Sequence, residues 1–195
     1  MIIAGGRFHL YRSSTDTDRA FVSERRDFYS SLRWHEEILM QATEVSPTSE
    51  YVALHLRTTD RSFEAPTNRA IASALASMRS QTGIESLFIA ADTPEGRDLW
   101  SVKARSLGFE PWSVQTTDFS RVTLSGGRSA ALDWLLLSRA NALTFAAAST
   151  FSHEAAAAAG CVTWPLQATS IRKFLRRARS HLNNVVTYPS RRFMS

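Results

Sequence analysis

The sequence has one cysteine, Cys161, in 195 residues, which excludes an intramolecular disulfide framework and a cysteine-built zinc cluster. It has no apolar run of the ~18 residues that read as a membrane helix. The stretch from Met1 to Arg7 also lacks the apolar core of a secretory signal, so a soluble, cytoplasmic protein is the expectation. Its eight glycines never fall as Gly-x-Gly-x-x-Gly behind a strand-like run, and no Gly-x-x-x-x-Gly-Lys-Ser/Thr loop occurs. A nicotinamide enzyme and a P-loop kinase are therefore disfavoured. Aromatic residues are not interleaved with a basic stripe. The net charge of +5 gathers toward the C-terminus, a balance that suits an anionic ligand or surface rather than nucleic acid.

What is present is an alternation of short apolar runs and helical periods. Helical spacing over 23–43 puts Phe28, Leu32, Trp34, Ile38 and Leu39 on one stripe, and Pro47 ends it. A buried strand follows at 51–57. Pro66-Thr67-Asn68 then opens a helix that Gly83 stops, and a second strand covers 87–91. Thr93 caps a helix with Pro94 at its first position, running to Gly108. A weaker strand at 111–114, a helix over 129–140, a strand at 142–146, an alanine-rich helix to Gly160, a strand at 161–164 and a basic helix over 170–182 complete the pattern. Such alternation predicts an α/β fold, a Rossmann-like parallel sheet with helices on both faces. Residues 1–48 read as a loop and helical lead-in, 49–183 as the sheet domain and 184–195 as a tail.

The apolar run from Tyr51 ends in His55-Leu56-Arg57-Thr58-Thr59-Asp60, a cluster of polar groups at the strand edge where open α/β sheets bind ligands. Arg57 has the planar fork of donors that grips phosphate, and the bland alternative is an Arg57–Asp60 pair that satisfies itself. Asp92, Ser149-Thr150 and Asp133 fall at other strand ends or in adjoining helices, and together with Arg57 they make an anion clamp suited to a nucleoside diphosphate. Asp133 reads either as an early-turn acid favoured by the helix dipole or as a carboxylate that accepts from guanine N1–H and N2–H2. Gly126-Gly127 reads as a phosphate-cradling turn or a flexible tip. Asp16-Thr17-Asp18 has the spacing of a metal-dependent sugar-transferase motif, but no apolar run delivers it to a site, and no metal is expected.

His55-Leu56-Arg57-Thr58-Thr59-Asp60 resembles the His-x-Arg-Arg-Thr/Gly-Asp motif of GDP-fucose-dependent fucosyltransferases, both the nodulation-type α-1,6 enzymes and the protein O-fucosyltransferases. Asp92 after a strand resembles their second motif. Leu132 to Ala140, followed by Ser149-Thr150-Phe151-Ser152, resembles their third. The resemblance implies the C-terminal, donor-binding half of a GT-B glycosyltransferase, with GDP-fucose as donor substrate, no cofactor and no metal. It places Arg57 on the β-phosphate, His55 and Asp133 near guanine, Ser149 and Thr150 on phosphate, and Asp60 among the donor-binding residues. Arg57 and Asp92 are then the catalytic pair. Thr58 stands where the family usually has a second arginine, and Thr93 follows Asp92 where the family has another acid. Family enzymes also place an acceptor domain before the motif, whereas only residues 1–54 precede it here.

The implied partners are GDP-fucose or GDP, a glycan or protein acceptor, and a partner chain that supplies an acceptor domain. The alternative is a non-catalytic nucleotide-sugar-binding module or a degenerate remnant. The basic helix over 170–182, in which Arg172, Lys173, Arg176, Arg177 and Arg179 alternate with Ile171, Phe174 and Leu175, suits either packing on the sheet or peripheral contact with an anionic membrane or a partner.

Overall fold

In the computed structural model, residues 17–47, 50–57, 65–116, 118–120 and 122–166 are described. Five strands, β1 (Val52–Leu56), β2 (Ser86–Ala91), β3 (Glu110–Trp112), β4 (Ala142–Ala146) and β5 (Val162–Leu166), form one sheet in the order β3-β2-β1-β4-β5. Every pairing is parallel. This is the α/β sheet expected from the alternation. The helices are α1 (Thr17–Ser30), α2 (Glu36–Val45), α3 (Asn68–Thr82), α4 (Pro94–Ser106), α5 (Leu124–Leu137) and α6 (Thr150–Ala159).

Strand alternation sorts the core into two layers. Val52, Leu54, Leu56, Leu87 and Ile89 meet Ile71, Leu75 and Met78 of α3 and Trp100 and Ala104 of α4. On the other face Ala53, Phe88, Ala90, Leu143 and Phe145 meet α2, α5 and α6 through Ile38, Ala42, Leu132, Leu136 and Ala155. The central strands are buried on both faces and read as continuous apolar runs, as parallel strands do. Ala155 and Ala156 let α6 lie close to the sheet.

Local signals place most boundaries. Thr67, Thr93, Thr123 and Ser149 each cap a helix through the side-chain oxygen, and Gly83 and Gly160 end α3 and α6 in the left-handed region. Three expectations are corrected. The helix over 23–43 is two helices, because Ser30 and Ser31 turn their hydroxyls onto the carbonyls of Asp27 and Phe28 and end α1. The segment after it carries Trp34, whose ring stacks on Trp134 at 5.6 Å. The last strand continues through Pro165, which an edge strand tolerates because half of its backbone N–H groups face away from the ladder. Third, Gly126 and Gly127 lie inside the first turns of α5 instead of forming a turn ahead of it. The basic helix over 170–182, the tail, Asp16 and Thr58 to Asp60 lie outside the described residues. Among the described residues no helix is long and apolar enough to cross a membrane.

The two glycines of α5 are predicted to behave oppositely. A Cβ at Gly126 would lie 1.7 Å from the Ser120 carbonyl oxygen, whereas one at Gly127 meets nothing within 4 Å. Gly126→Ala should destabilise by roughly 1–3 kcal/mol, and Gly127→Ala should stabilise by about 0.5–1 kcal/mol through the lower backbone entropy of the unfolded chain. Urea unfolding of the pair measures both signs.

Candidate functional site

The strand order creates one place where the chain changes direction across the sheet. From β1 it moves outward to β2 and β3 by α3 and α4, then returns through α5 to β4 on the other side of β1. The helix after β1 covers one face and the helix after β4 covers the other, so the C-terminal ends of β1 and β4 part into a crevice.

His55 and Arg57 stand on the β1 side of this crevice. His55 is in register with Phe145 of β4 and Ala90 of β2. Arg57 follows the strand directly and is half-buried. The Asp92 N–H donates to the Leu56 carbonyl at 3.3 Å, which extends the β1–β2 ladder by one step and brings Asp92 beside Arg57. Asp60, the remaining expected residue of this motif, lies outside the described residues.

The β4 side is the first turn of α6. Ala147 N–H donates to Leu166 O and Ser149 N–H to Ala146 O, both at 2.8 Å, so the strand-to-helix turn is held at both ends. The His153 ring contacts the Ala147 carbonyl through Nε2 at 2.9 Å and packs edge-on to Phe145. A carbonyl only accepts, so this Nε2 carries the proton. Ser149 caps the helix, and its hydroxyl is buried against Ser152 and His55. Thr150 is exposed. The N–H groups of Thr150 and Phe151, orphans of the first turn, donate to nothing among the described residues. Such groups, with the helix dipole behind them, favour an anion. The Phe151 ring lies 5.2 Å from that of His55 at 36°, closing one side of the crevice with an aromatic face.

Asp133 lies farther off, the tenth of the fourteen residues of α5 and not in its first turn as expected, because the helix starts at Leu124, so the helix dipole does not favour its charge; it forms no hydrogen bond or ion pair among the described residues. Burial pushes its carboxyl up to about 7, against the pull of Arg97 on α4. Arg97 donates to the Val114 carbonyl at 3.5 Å and sits 6.0 Å from the Phe119 ring centroid. The loop between β3 and α5 is tied by Asp118, which accepts from the Ser120 N–H at 2.8 Å and from the hydroxyls of Thr123 and Ser125. Those donors hold the Asp118 carboxyl down at about 2.

The described structure thus brings Arg57, Asp92, His55 and the Ser149-Thr150 turn to one sheet edge, and leaves Asp133 apart from them on α5, within electrostatic reach of Arg97. Sequence reading overlooked Arg97, Phe151 as a ring against His55, and the second serine, Ser152. Arg97 had a usable signal, because it sits in the first turn of the helix that follows the Asp92 strand end. An open depression lined by Ser86, Phe109, Glu110 and Trp112 is at the opposite, N-terminal end of β2 and β3, away from these groups. Among the described residues no three His, Cys, Asp or Glu side chains gather as a metal site.

No protein-family model and no curated protein matches the chain. Solved structures do. POFUT1 in complex with GDP-fucose aligns at TM-score 0.53 and 18% identity over 72% of this chain and 48% of that one. POFUT1 in complex with GDP aligns at TM-score 0.54 and 16% identity over 73% of this chain and 49% of that one. NodZ α-1,6-fucosyltransferase soaked with GDP-fucose aligns at TM-score 0.50 and 18% identity over 70% and 46%. The fold is fucosyltransferase-like, and the chain spans about half the length of the structures it matches.

The Asp133 environment makes a prediction about stability. Between the ordinary carboxylate value of 3.8 and about 7, the folded state keeps a proton that the unfolded state has lost. This group's contribution therefore falls as pH rises through that window and is level above it. Asp133→Asn should raise the melting temperature relative to the unsubstituted chain, by an increment that grows from pH 4 to pH 7 and then stays constant. An increment that is constant or shrinks over that range contradicts the assignment.

Proposed function

We propose that this chain is the donor-binding half of a GDP-fucose-dependent fucosyltransferase, with residues 49–183 as the nucleotide-sugar domain. The observation that carries the reading is that Arg57 and the open first turn of α6 follow two paired strands, β1 and β4, and so stand at the same end of the sheet. That arrangement occurs in a fold shared with proteins crystallised with GDP-fucose and GDP.

In this reading the diphosphate lies between Arg57 and the N–H groups of Thr150 and Phe151, with the Thr150 hydroxyl and the Ser149 turn beside it. Guanine lies toward Asp133, whose carboxylate accepts from N1–H and N2–H2. His55 contacts the nucleoside, and Asp60 is a further donor-binding residue of the motif that begins at His55. Transfer forms a bond from an acceptor hydroxyl oxygen to the fucose anomeric carbon and breaks the bond from that carbon to the β-phosphate oxygen. The electron pair stays on GDP, where Arg57 stabilises it as charge builds, an electrostatic rather than covalent contribution. The hydroxyl proton passes to Asp92, the carboxylate beside Arg57. The acceptor is a glycan or a protein side chain.

A second reading is donor binding without transfer, with a partner chain supplying the acceptor side.

GDP should raise the melting temperature more than ADP or UDP, since a ligand at 100 times its dissociation constant stabilises a fold by about 2.7 kcal/mol. Equal shifts from all three nucleotides would remove the guanine assignment. Arg57→Ala should weaken GDP binding by roughly 1.5–3 kcal/mol, the worth of a hydrogen bond to a charged group. Arg57→Lys should recover only part of that loss, because a point charge lacks the bidentate fork. Unchanged GDP affinity in Arg57→Ala would make the β1 motif structural. A radiolabelled GDP-fucose assay with glycan and peptide acceptors separates the two readings. Turnover by the chain alone supports the transferase, and binding without turnover supports the module.

A further inference from the structure

Arg97 and Asp133 lie on either side of the segment that leaves β3. Arg97 is only 15% exposed, and its Nη1 donates to the Val114 carbonyl at 3.5 Å. That carbonyl also accepts from the Thr116 N–H at 3.1 Å, and the Thr116 hydroxyl lies 2.9 Å from that of Ser129 on α5. Ser129 precedes Asp133 by one helical turn and shares its face of the helix. Burial raises the Asp133 carboxyl and the Arg97 charge pulls against it, yet among the described residues the two close no ion pair. Arg97 Nε lies 3.3 Å from Asp98, which, with Nη1 on Val114, leaves Nη2 donating to no described residue. The Phe119 ring centroid stands 6.0 Å from the guanidinium carbon. Its loop is tied at Asp118 by the Ser120 N–H and the hydroxyls of Thr123 and Ser125. A cation with an unused donor, a carboxylate with unused acceptors and an aromatic face thus border one place between the segment after β3 and α5.

We propose that Arg97 is a specificity-determining residue that donates through Nη2 to guanine O6, beside the Asp133 carboxylate that accepts from N1–H and N2–H2. The proposal rests on the GDP reading of the chain and deepens it by naming what rejects adenine. The guanine edge presents one acceptor followed by two donors, and a guanidinium next to a carboxylate complements that order. Adenine sets its N6 amino group, a donor, where O6 stands, and N1 is an acceptor. A carboxyl raised to about 7 is able to donate to adenine N1 as well as to accept from guanine, so Asp133 alone discriminates weakly near neutral pH. Arg97 has no acceptor in any protonation state, and its donor opposes the adenine amino group. An ion pair closed between Arg97 and Asp133 would use up both groups, whereas their separation leaves each able to take part of a planar edge.

Calorimetric titration of the full chain tests the assignment. Arg97→Met keeps much of the stem and removes the fork. It should weaken GDP binding by roughly tenfold to a hundredfold, the scale of one hydrogen bond to a charged group, leave inorganic pyrophosphate affinity unchanged and narrow the preference for GDP over ADP. The unsubstituted chain should bind 6-thio-GDP more weakly than GDP, because sulfur accepts poorly, and that difference should vanish in Arg97→Met. The analogue comparison in the unsubstituted chain stands even if the variant fails to fold. Equal affinity for GDP and 6-thio-GDP, or an Arg97→Met loss that is as large for pyrophosphate as for GDP, overturns the proposal. GDP binding that falls in Arg57→Ala and is indifferent to Arg97→Met upholds the diphosphate site and overturns the role of Arg97. Guanosine, which has no phosphate, separates the two from the other side. If it binds and is weakened by Arg97→Met while GDP affinity ignores Arg57→Ala, Arg97 reads the base and the diphosphate placement alone fails. Binding of neither GDP nor guanosine overturns both.

Discussion

Tyr51 and Asn141 exchange two hydrogen bonds across the start of β1 and β4, from the Tyr51 N–H to the Asn141 side-chain oxygen at 3.0 Å and from the Asn141 N–H to the Tyr51 carbonyl at 2.9 Å. The Tyr51 hydroxyl continues inward and donates to the Leu136 carbonyl at 2.7 Å, satisfying a carbonyl in the last turn of α5. Burial pushes that phenol up to about 12, so it stays a donor throughout the physiological range. These bonds fix the register of the two strands whose helices leave on opposite faces. A slip of one residue would exchange the layers and turn His55 away from α6. The candidate site therefore depends on a polar clamp at the other end of the sheet.

The crevice also differs in character from the walls around it. The sheet interior is apolar, yet Ser149, Ser152 and Thr144 are buried polar groups, each with partners: the two serines bond each other and Ser152 meets His55, while Thr144 donates to the Trp164 carbonyl at 2.9 Å. Satisfied polar groups of this kind specify one arrangement, because an unpaired alternative loses the desolvation energy of each atom. Asp118 and Asp133 mark the contrast between environments. Asp118 is held low by three donors in an exposed loop, and Asp133 is raised by burial. Two carboxylates fifteen positions apart in the chain thus reach opposite protonation behaviour through their surroundings alone.

Much of this was legible in the sequence, for identifiable reasons. Continuous apolar runs bounded by cap residues located β1, β2 and β4, and Thr67, Thr93 and Ser149 marked helix starts because a side-chain oxygen is needed there. The break between α1 and α2 was hidden because the apolar stripe continues through Trp34, which packs on Trp134 from a non-helical segment. Gly126 and Gly127 looked like a loop by composition, whereas Gly126 is required by the approach of the Ser120 carbonyl. Arg57, Asp92 and the α6 start could be found because strand ends announce themselves. Ser152 could not be given a role, since its meaning comes from a contact with a residue ninety-seven positions distant, and Arg97 carried a positional signal after the Asp92 strand end but none for its electrostatic reach to Asp133 on another helix.

The central claim is that the crevice between β1 and β4 is where this chain holds a nucleoside diphosphate. A crystal structure of the chain soaked with GDP tests it most directly. The account predicts the diphosphate over the first turn of α6, within hydrogen-bond distance of the Thr150 and Phe151 N–H groups and of the Arg57 guanidinium. GDP bound instead at the depression beside Glu110 and Trp112, or over the sheet edge without contact to Arg57 or α6, would contradict it.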